Sequence, residues 1–292
     1  MLGEVIDQTL DRFPALSSYG LKLARAIHNE VLQRGESTRN LADLLHGTWL
    51  GHPLHPVLTD AAIGAWSFAM FFDLMSMFKD SYEARVAADA LLELGNYVAL
   101  PTVLAGLTDF STVPGGSADT AMMHATVNTA VYSLFLASMK AREDGDRSRA
   151  VTYSTIAGSL LMAGAYLGGH LSFSQKVGVN HAEKASDPRQ WTPVVAEADL
   201  KESEPMRVEA GGSPVLLYRR GQRVMAIGAV CGHAGGPLEK GQFADDTVEC
   251  PWHQSVYSLD DGEVVHGPTT YPVANYDARI RDGEVELRLR RG

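Results

Sequence analysis

Only two cysteines occur in the 292 residues, and each stands beside a histidine: Cys231-x-His233 and Cys250-x-x-His253, with sixteen residues between the two arms. Each arm offers one thiolate and one imidazole, a donor set that suits zinc or iron, whereas carboxylates suit harder ions. A tetrahedral zinc site of two Cys and two His is chemically satisfied by these four side chains. Zinc ribbons usually carry C-x-x-C knuckles, however, and the first arm here is C-x-H. Two cysteines also fall short of a disulfide framework.

A second set of chemistry-bearing residues lies in the first half: His52 and His55 in "GHPLHP", Asp60, Asp109, His124, Asn128 and His170. What brings them together is the arrangement of apolar segments. Four segments, at about 57–78, 86–108, 121–139 and 150–169, approach the ~20 apolar residues of a bilayer helix. Short polar connections separate them, which predicts an all-α, up-and-down four-helix transmembrane bundle. With alternating helix directions, the start of the first and third spans and the end of the second and fourth share one face. All seven residues fall on that face. Ionisable groups at membrane depth carry a functional expectation, and this cluster could ligate haem b or another metal, or bind a quinone headgroup. The competing reading is a soluble bundle, since Asp60, Asp73, Asp89, Glu93 and Asn96 interrupt the spans. Residues 21–33 read as an amphipathic helix, either packed or lying on the membrane surface. "GHPLHP", "GLTDF" and "GGHL" together resemble a bacterial four-helix membrane-domain family over about residues 45–175. That resemblance implies a multi-pass membrane domain and supplies no chemistry.

The second half changes character. After a polar linker come strand-like runs at 191–195, 206–209, 215–218, 224–227 and 271–275, then "ARIRDGEVELRLR" with Asp282-Gly283 as a hairpin turn. Short strands with glycine turns predict a small all-β domain, with the cysteine arms on loops. The expected organisation is therefore multidomain: an N-terminal amphipathic segment 1–50, a four-helix membrane domain 51–175, a linker 176–190 and a β-domain 191–292.

C-x-H with "GPL" after it, followed by C-x-x-H within "CPWH", resembles the Rieske [2Fe–2S] ferredoxin family, and the resemblance covers 191 to the C-terminus. It implies that Cys231 and Cys250 hold one iron and His233 and His253 the other, with a potential of roughly −150 to +300 mV because two neutral imidazoles replace two thiolates. The Rieske proteins of cytochrome bc complexes carry an extra bridging Cys in each loop; Gly236 and Trp252 stand at those positions. The same proteins carry sulfur hydrogen-bond donors that match Ser255 and Tyr257, which implies a potential in the upper part of the range. "HGPTTYP", 266–272, resembles the proline loop covering such clusters, with His266 a surface residue rather than a ligand.

A net charge of −10 and a pI near 5.4 leave no basic surface for nucleic acid. The start "MLGEVIDQTLDRFPAL" lacks the pattern of a cleaved signal. No catalytic domain with a mononuclear iron is expected, because the β-domain ends soon after its hairpin. The expected function is one-electron transfer by a membrane-anchored iron–sulfur protein, between a quinone or haem site in the bundle and a redox protein partner. The alternative is a Rieske ferredoxin of an oxygenase system on a purely structural anchor; a redox sensor is a third. The expected location is a bacterial cell membrane. The basic residues of the loops after the first and third spans, Lys79, Arg85, Lys140, Arg142, Arg147 and Arg149, place those loops inside and both termini outside. Lys176, Lys184, Arg189 and Arg39 dilute that bias. The missing disulfide and twin-Arg signal favour a cytoplasmic β-domain.

Overall fold

The computed structural model describes residues 2–182 and 188–290; positions 183–187 of the expected linker, Lys184 among them, lie outside the described residues. The described residues form seven α-helices: α1 (Leu2–Leu10), α2 (Pro14–Gln33), α3 (Glu36–His46), α4 (Leu54–Lys79), α5 (Tyr82–Phe110), α6 (Ala118–Glu143) and α7 (Arg147–Gly169). Ten strands follow: β1 (Thr192–Ala196), β2 (Met206–Ala210), β3 (Ser213–Arg220), β4 (Arg223–Gly228), β5 (Gln242–Ala244), β6 (Thr247–Glu249), β7 (Val256–Ser258), β8 (Val264–His266), β9 (Asn275–Arg281) and β10 (Glu284–Leu289). The chain divides into two compact units, Met1–Gln33 with Leu54–Val177 and Arg34–Pro53 with Gly178–Gly292.

In the helical unit, α4 packs along α5 and α6 along α7, with further contacts between α5 and α6 and between α4 and α7. Ser81 starts α5 by accepting a hydrogen bond from Ala84 N, and Asp146 starts α7 by accepting from Arg149 N. Ala62, Ala69, Ala88, Ala99 and Ala157 are almost fully buried, so small residues set the close approach of the helices. The outward faces are apolar too: Phe68, Phe71, Phe78, Leu94, Leu104 and Met162 are exposed. A helix apolar on all sides suits a nonaqueous surround. Three helical stretches are long and apolar enough to cross a membrane: Leu54–Lys79, Tyr82–Phe110 and Arg147–Ser174. The fourth expected span falls in α6, which has the length but not the hydropathy. Its His124, Thr126, Asn128, Thr129 and Ser133 dilute it.

The two helix pairs repeat one another. His55 meets His124, Trp66 stacks on Phe135 at 4.5 Å, and Asp73 pairs with Arg142; each couple is 69 positions apart. Arg147 likewise donates to the carbonyl of Arg85, 62 positions earlier. Equivalent residues touching one another describe two copies of one hairpin around a two-fold axis parallel to the helices. At one end Arg142 and Arg147 both bridge Asp73 and Asp89 at 2.5–2.6 Å.

The β unit has a six-stranded antiparallel sheet, β1-β10-β9-β4-β3-β2, and a four-stranded one, β5-β6-β7-β8. Asp282 and Gly283 turn β9 into β10 with positive φ at both, as a type I′ hairpin requires. The expected strand at 271–275 is instead mostly loop, because Thr269 Oγ1 occupies the Tyr271 amide and Pro272 offers no donor. Residues 34–53, with α3, belong to this unit.

Candidate metal centre

Both cysteine arms are the same turn. Cys231 N donates to Gly236 O and Gly235 N to Cys231 O, at 2.9 and 3.0 Å; Cys250 N donates to Ser255 O and Gln254 N to Cys250 O, at 2.8 and 3.2 Å. The fifth residue of each turn has positive φ, Gly235 at 80° and Gln254 at 58°. One loop leaves β4 and the other links β6 to β7, so the two sheets present the loops side by side.

Cys231 and Cys250 are buried and are not joined by a disulfide. Their sulfurs are hydrogen-bonded: this pulls the Cys231 thiol down to about 6 against the opposing effect of burial, with Tyr257, the His233 amide and Ser255 helping. The Cys250 thiol is pushed up by the same hydrogen bond and by burial. Tyr257 Oη donates to Cys231 Sγ at 3.3 Å and accepts from Gly232 N at 2.8 Å; burial holds its hydroxyl well above the usual range. Ser255 Oγ also accepts from Thr269 N at 3.1 Å, tying the second arm to the 266–272 loop.

The His233 and His253 rings lie 4.8 Å apart at 81°, with both Nδ1 atoms buried. Two imidazoles on one tetrahedral metal, with bonds of about 2 Å, have ring centres about 5 Å apart. Among the described residues, no three His, Cys, Asp or Glu side chains converge on one point as a single ion requires. The thiols form one pair and the imidazoles another, a donor set that fits a two-iron cluster. A Cβ on Gly236 would lie 2.7 Å from Cys250 Sγ and 3.3 Å from the Trp252 ring. Thus Gly236 and Trp252 do face each other, and the indole packs where a bridge between the loops would run.

The Rieske [2Fe-2S] domain family matches residues 190–277, and a predicted membrane protein family (DUF2231) matches 51–181. The anthranilate 1,2-dioxygenase ferredoxin subunit of Burkholderia cepacia is 35% identical over 100 residues, 34% of this chain and 93% of that protein. This chain belongs to the Rieske [2Fe-2S] family. Its Rieske domain is joined to the DUF2231 domain in one polypeptide, and the family implies a [2Fe–2S] cluster and electron transfer. Ferredoxin CarAc of Metapseudomonas resinovorans is 29% identical over 32% of this chain and 90% of its own. The solved ferredoxin of carbazole 1,9a-dioxygenase from Nocardioides aromaticivorans IC177 is 27% identical, with a TM-score of 0.33, over 35% of this chain and 99% of that one.

Beyond the Rieske loops, His266 is not the free surface residue expected. It is half-buried and its Nδ1 lies 2.7 Å from Asp43 Oδ2 of α3. The seven residues expected to cluster in the membrane domain separate. His55 and His124 meet edge to face, with ring centres 6.4 Å apart. The Nδ1 of each bonds a carbonyl of the neighbouring helix, Thr102 O at 2.9 Å and Gly164 O at 3.0 Å. Gly106 and Gly168 make room for the rings, and Asn128 lies against His124. His170 does not join them: its Nε2 lies 2.8 Å from Asp7, a partner on α1. His52 is exposed, bonds Pro53 O and falls in the other unit. Asp60 is exposed, and Asp109 closes α5. The sequence pattern missed Asp7 and Asp43, because α1 and α3 carry no motif that marks them.

Proposed function

We propose that this chain is a membrane-anchored Rieske electron-transfer protein, in which Cys231 and Cys250 hold one iron of the cluster and His233 and His253 the other. The observation that carries the reading is the sorted donor set: two buried thiols beside two perpendicular imidazoles, on twin turns. When bound, the cluster supplies one-electron transfer. Tyr257 and Ser255 direct hydrogen bonds at sulfur, which stabilise the more negative, reduced state and raise the potential. Burial keeps water from the sulfurs, while half-exposed Trp252 sits next to His253 and offers a redox partner a contact. The membrane domain, a four-helix transmembrane bundle, anchors the Rieske domain in a bacterial membrane, on the cytoplasmic side, where a cluster without a bridging disulfide suits a reducing compartment. EPR of the dithionite-reduced protein tests this: the low g-average of mixed His/Cys ligation is expected, and its absence refutes the reading.

A second station is proposed at His55 and His124, for haem b or a quinone headgroup. Both Nδ1 atoms donate to carbonyls, which leaves both Nε2 atoms as acceptors. His124 Nε2 lies 3.3 Å from the Asn128 amide nitrogen, and His55 and His124, their rings 6.4 Å apart, would together hold the group. An optical spectrum without a Soret band, together with a cluster that quinol cannot reduce, leaves only the alternative: a ferredoxin of an oxygenase system on a structural anchor. The names of the ferredoxin relatives favour that alternative.

A further inference from the structure

Helix α3 lies far upstream of residues 190–277, which match the Rieske family, yet it is part of the same compact unit. Its Arg39 and Asp43 stand one turn apart and therefore share a face. Arg39 Nη2 donates to Gln254 O at 2.9 Å and to Glu249 Oε2 at 3.3 Å. Glu249 immediately precedes Cys250 and Gln254 immediately follows His253, so one guanidinium ties both stems of the second ligand loop. Asp43 accepts from Gly267 N at 2.7 Å and meets His266 Nδ1 at 2.7 Å, holding the loop that follows β8. The fit there is close: a Cβ on Gly267 would lie 3.3 Å from Asp43, His46 and Thr48 alike. The Thr269 amide, donating to Ser255 Oγ, joins the two held loops directly. The contacts make a closed ring from α3 to the ligand loop, through Ser255 and Thr269 to the 266–272 loop, and back to α3.

We propose that α3 is a built-in brace of the metal centre, with Arg39 and Asp43 as positioning residues that fix the second ligand loop against the 266–272 loop and set the cluster's potential and retention. This rests on the Rieske reading of the site. Both side chains are mostly buried, Arg39 at 22% and Asp43 at 15% side-chain exposure, so their charges are poorly screened. Reduction adds negative charge to the cluster. A nearby carboxylate opposes that change and a nearby guanidinium favours it.

The test uses the full-length, cluster-loaded protein and four variants: Arg39→Met, Arg39→Lys, Asp43→Asn and, as an exposed control on the same helix, Asn40→Ala. Midpoint potentials are read by EPR-monitored titration, and cluster loss is followed by absorbance in the presence of an iron chelator. Asp43→Asn is expected to raise the midpoint and Arg39→Met to lower it. Both are expected to lose iron roughly tenfold faster, the usual cost of removing an outer-shell partner. Arg39→Lys should keep the midpoint near wild type, and Asn40→Ala should change nothing. Simple loosening of the fold would move both midpoints the same way, so shifts of one sign overturn the proposal. A wild-type Rieske signal with unmoved variants also overturns it. Wild-type protein with no Rieske signal defeats the reading of the site itself, and the brace with it.

Discussion

The two histidine pairs of this molecule are both nearly perpendicular, yet they are built in opposite ways. His233 and His253 stand on loops, 4.8 Å apart, with Nδ1 turned into the protein beside two sulfurs. His55 and His124 stand on helices, 6.4 Å apart, with Nδ1 already bonded to backbone carbonyls and the His124 Nε2 3.3 Å from the Asn128 amide nitrogen. The first pair sits between two loops, the second between two helix hairpins. Glycine serves both: Gly236 lets Cys250 sulfur approach, and Gly106 lets the His55 ring lie against α5. A loop pair separates two ligand types by sequence spacing. A helix pair gives one side-chain type twice, by repetition.

This contrast can be broken experimentally, most severely at the ligands. Cys250→Ser or His253→Ala should abolish the Rieske EPR signal completely while far-UV circular dichroism keeps its helical intensity. If instead the signal survives, the donor assignment is wrong. Next, His124→Ala should leave that EPR signal intact but slow quinol-dependent reduction of the cluster at least tenfold in stopped-flow absorbance. Equal rates in variant and wild type would reduce the helical pair to packing. Gly236→Ala puts a carbon into contact with Cys250 Sγ, so the Rieske EPR signal per chain should fall by half or more, whereas Gly106→Ala should leave that signal unchanged. The smallest effect is sought at Tyr257→Phe. Loss of one net hydrogen bond of about 1 kcal/mol corresponds to a midpoint lower by roughly 40 mV in voltammetry, with the cluster retained.

The ligand loops are legible from sequence because cluster chemistry demands residue types at fixed local spacing, whereas Gly236 and Trp252 are legible as a pair only through the family resemblance, as the residues standing where bridging cysteines would be. The hairpin at Asp282-Gly283 is legible from its turn chemistry. By contrast, Asp43 and His266 are 223 positions apart and carry no local signal; only the fold joins them. The helix-direction argument places His55 and His124 at one end correctly, but it has no means of seeing that Asp7 on α1 holds His170 or that His52 falls outside the helical unit. The expected strand at 271–275 fails on a side chain, Thr269, that competes for the backbone. The apolar length reads α6 as a fourth span, yet one of the polar residues that dilute it, His124, is the one that meets His55 of the other hairpin.

The ion pair between Asp73 and Arg142 makes the two hairpins unlike at their shared axis. These residues occupy the same place in the two copies of the hairpin. A homodimer of either hairpin would press Asp against Asp, or Arg against Arg, at a point where both side chains are almost fully buried. Opposite charges across the axis therefore require two unlike halves. Neither half can be replaced by a copy of the other without burying two like charges together.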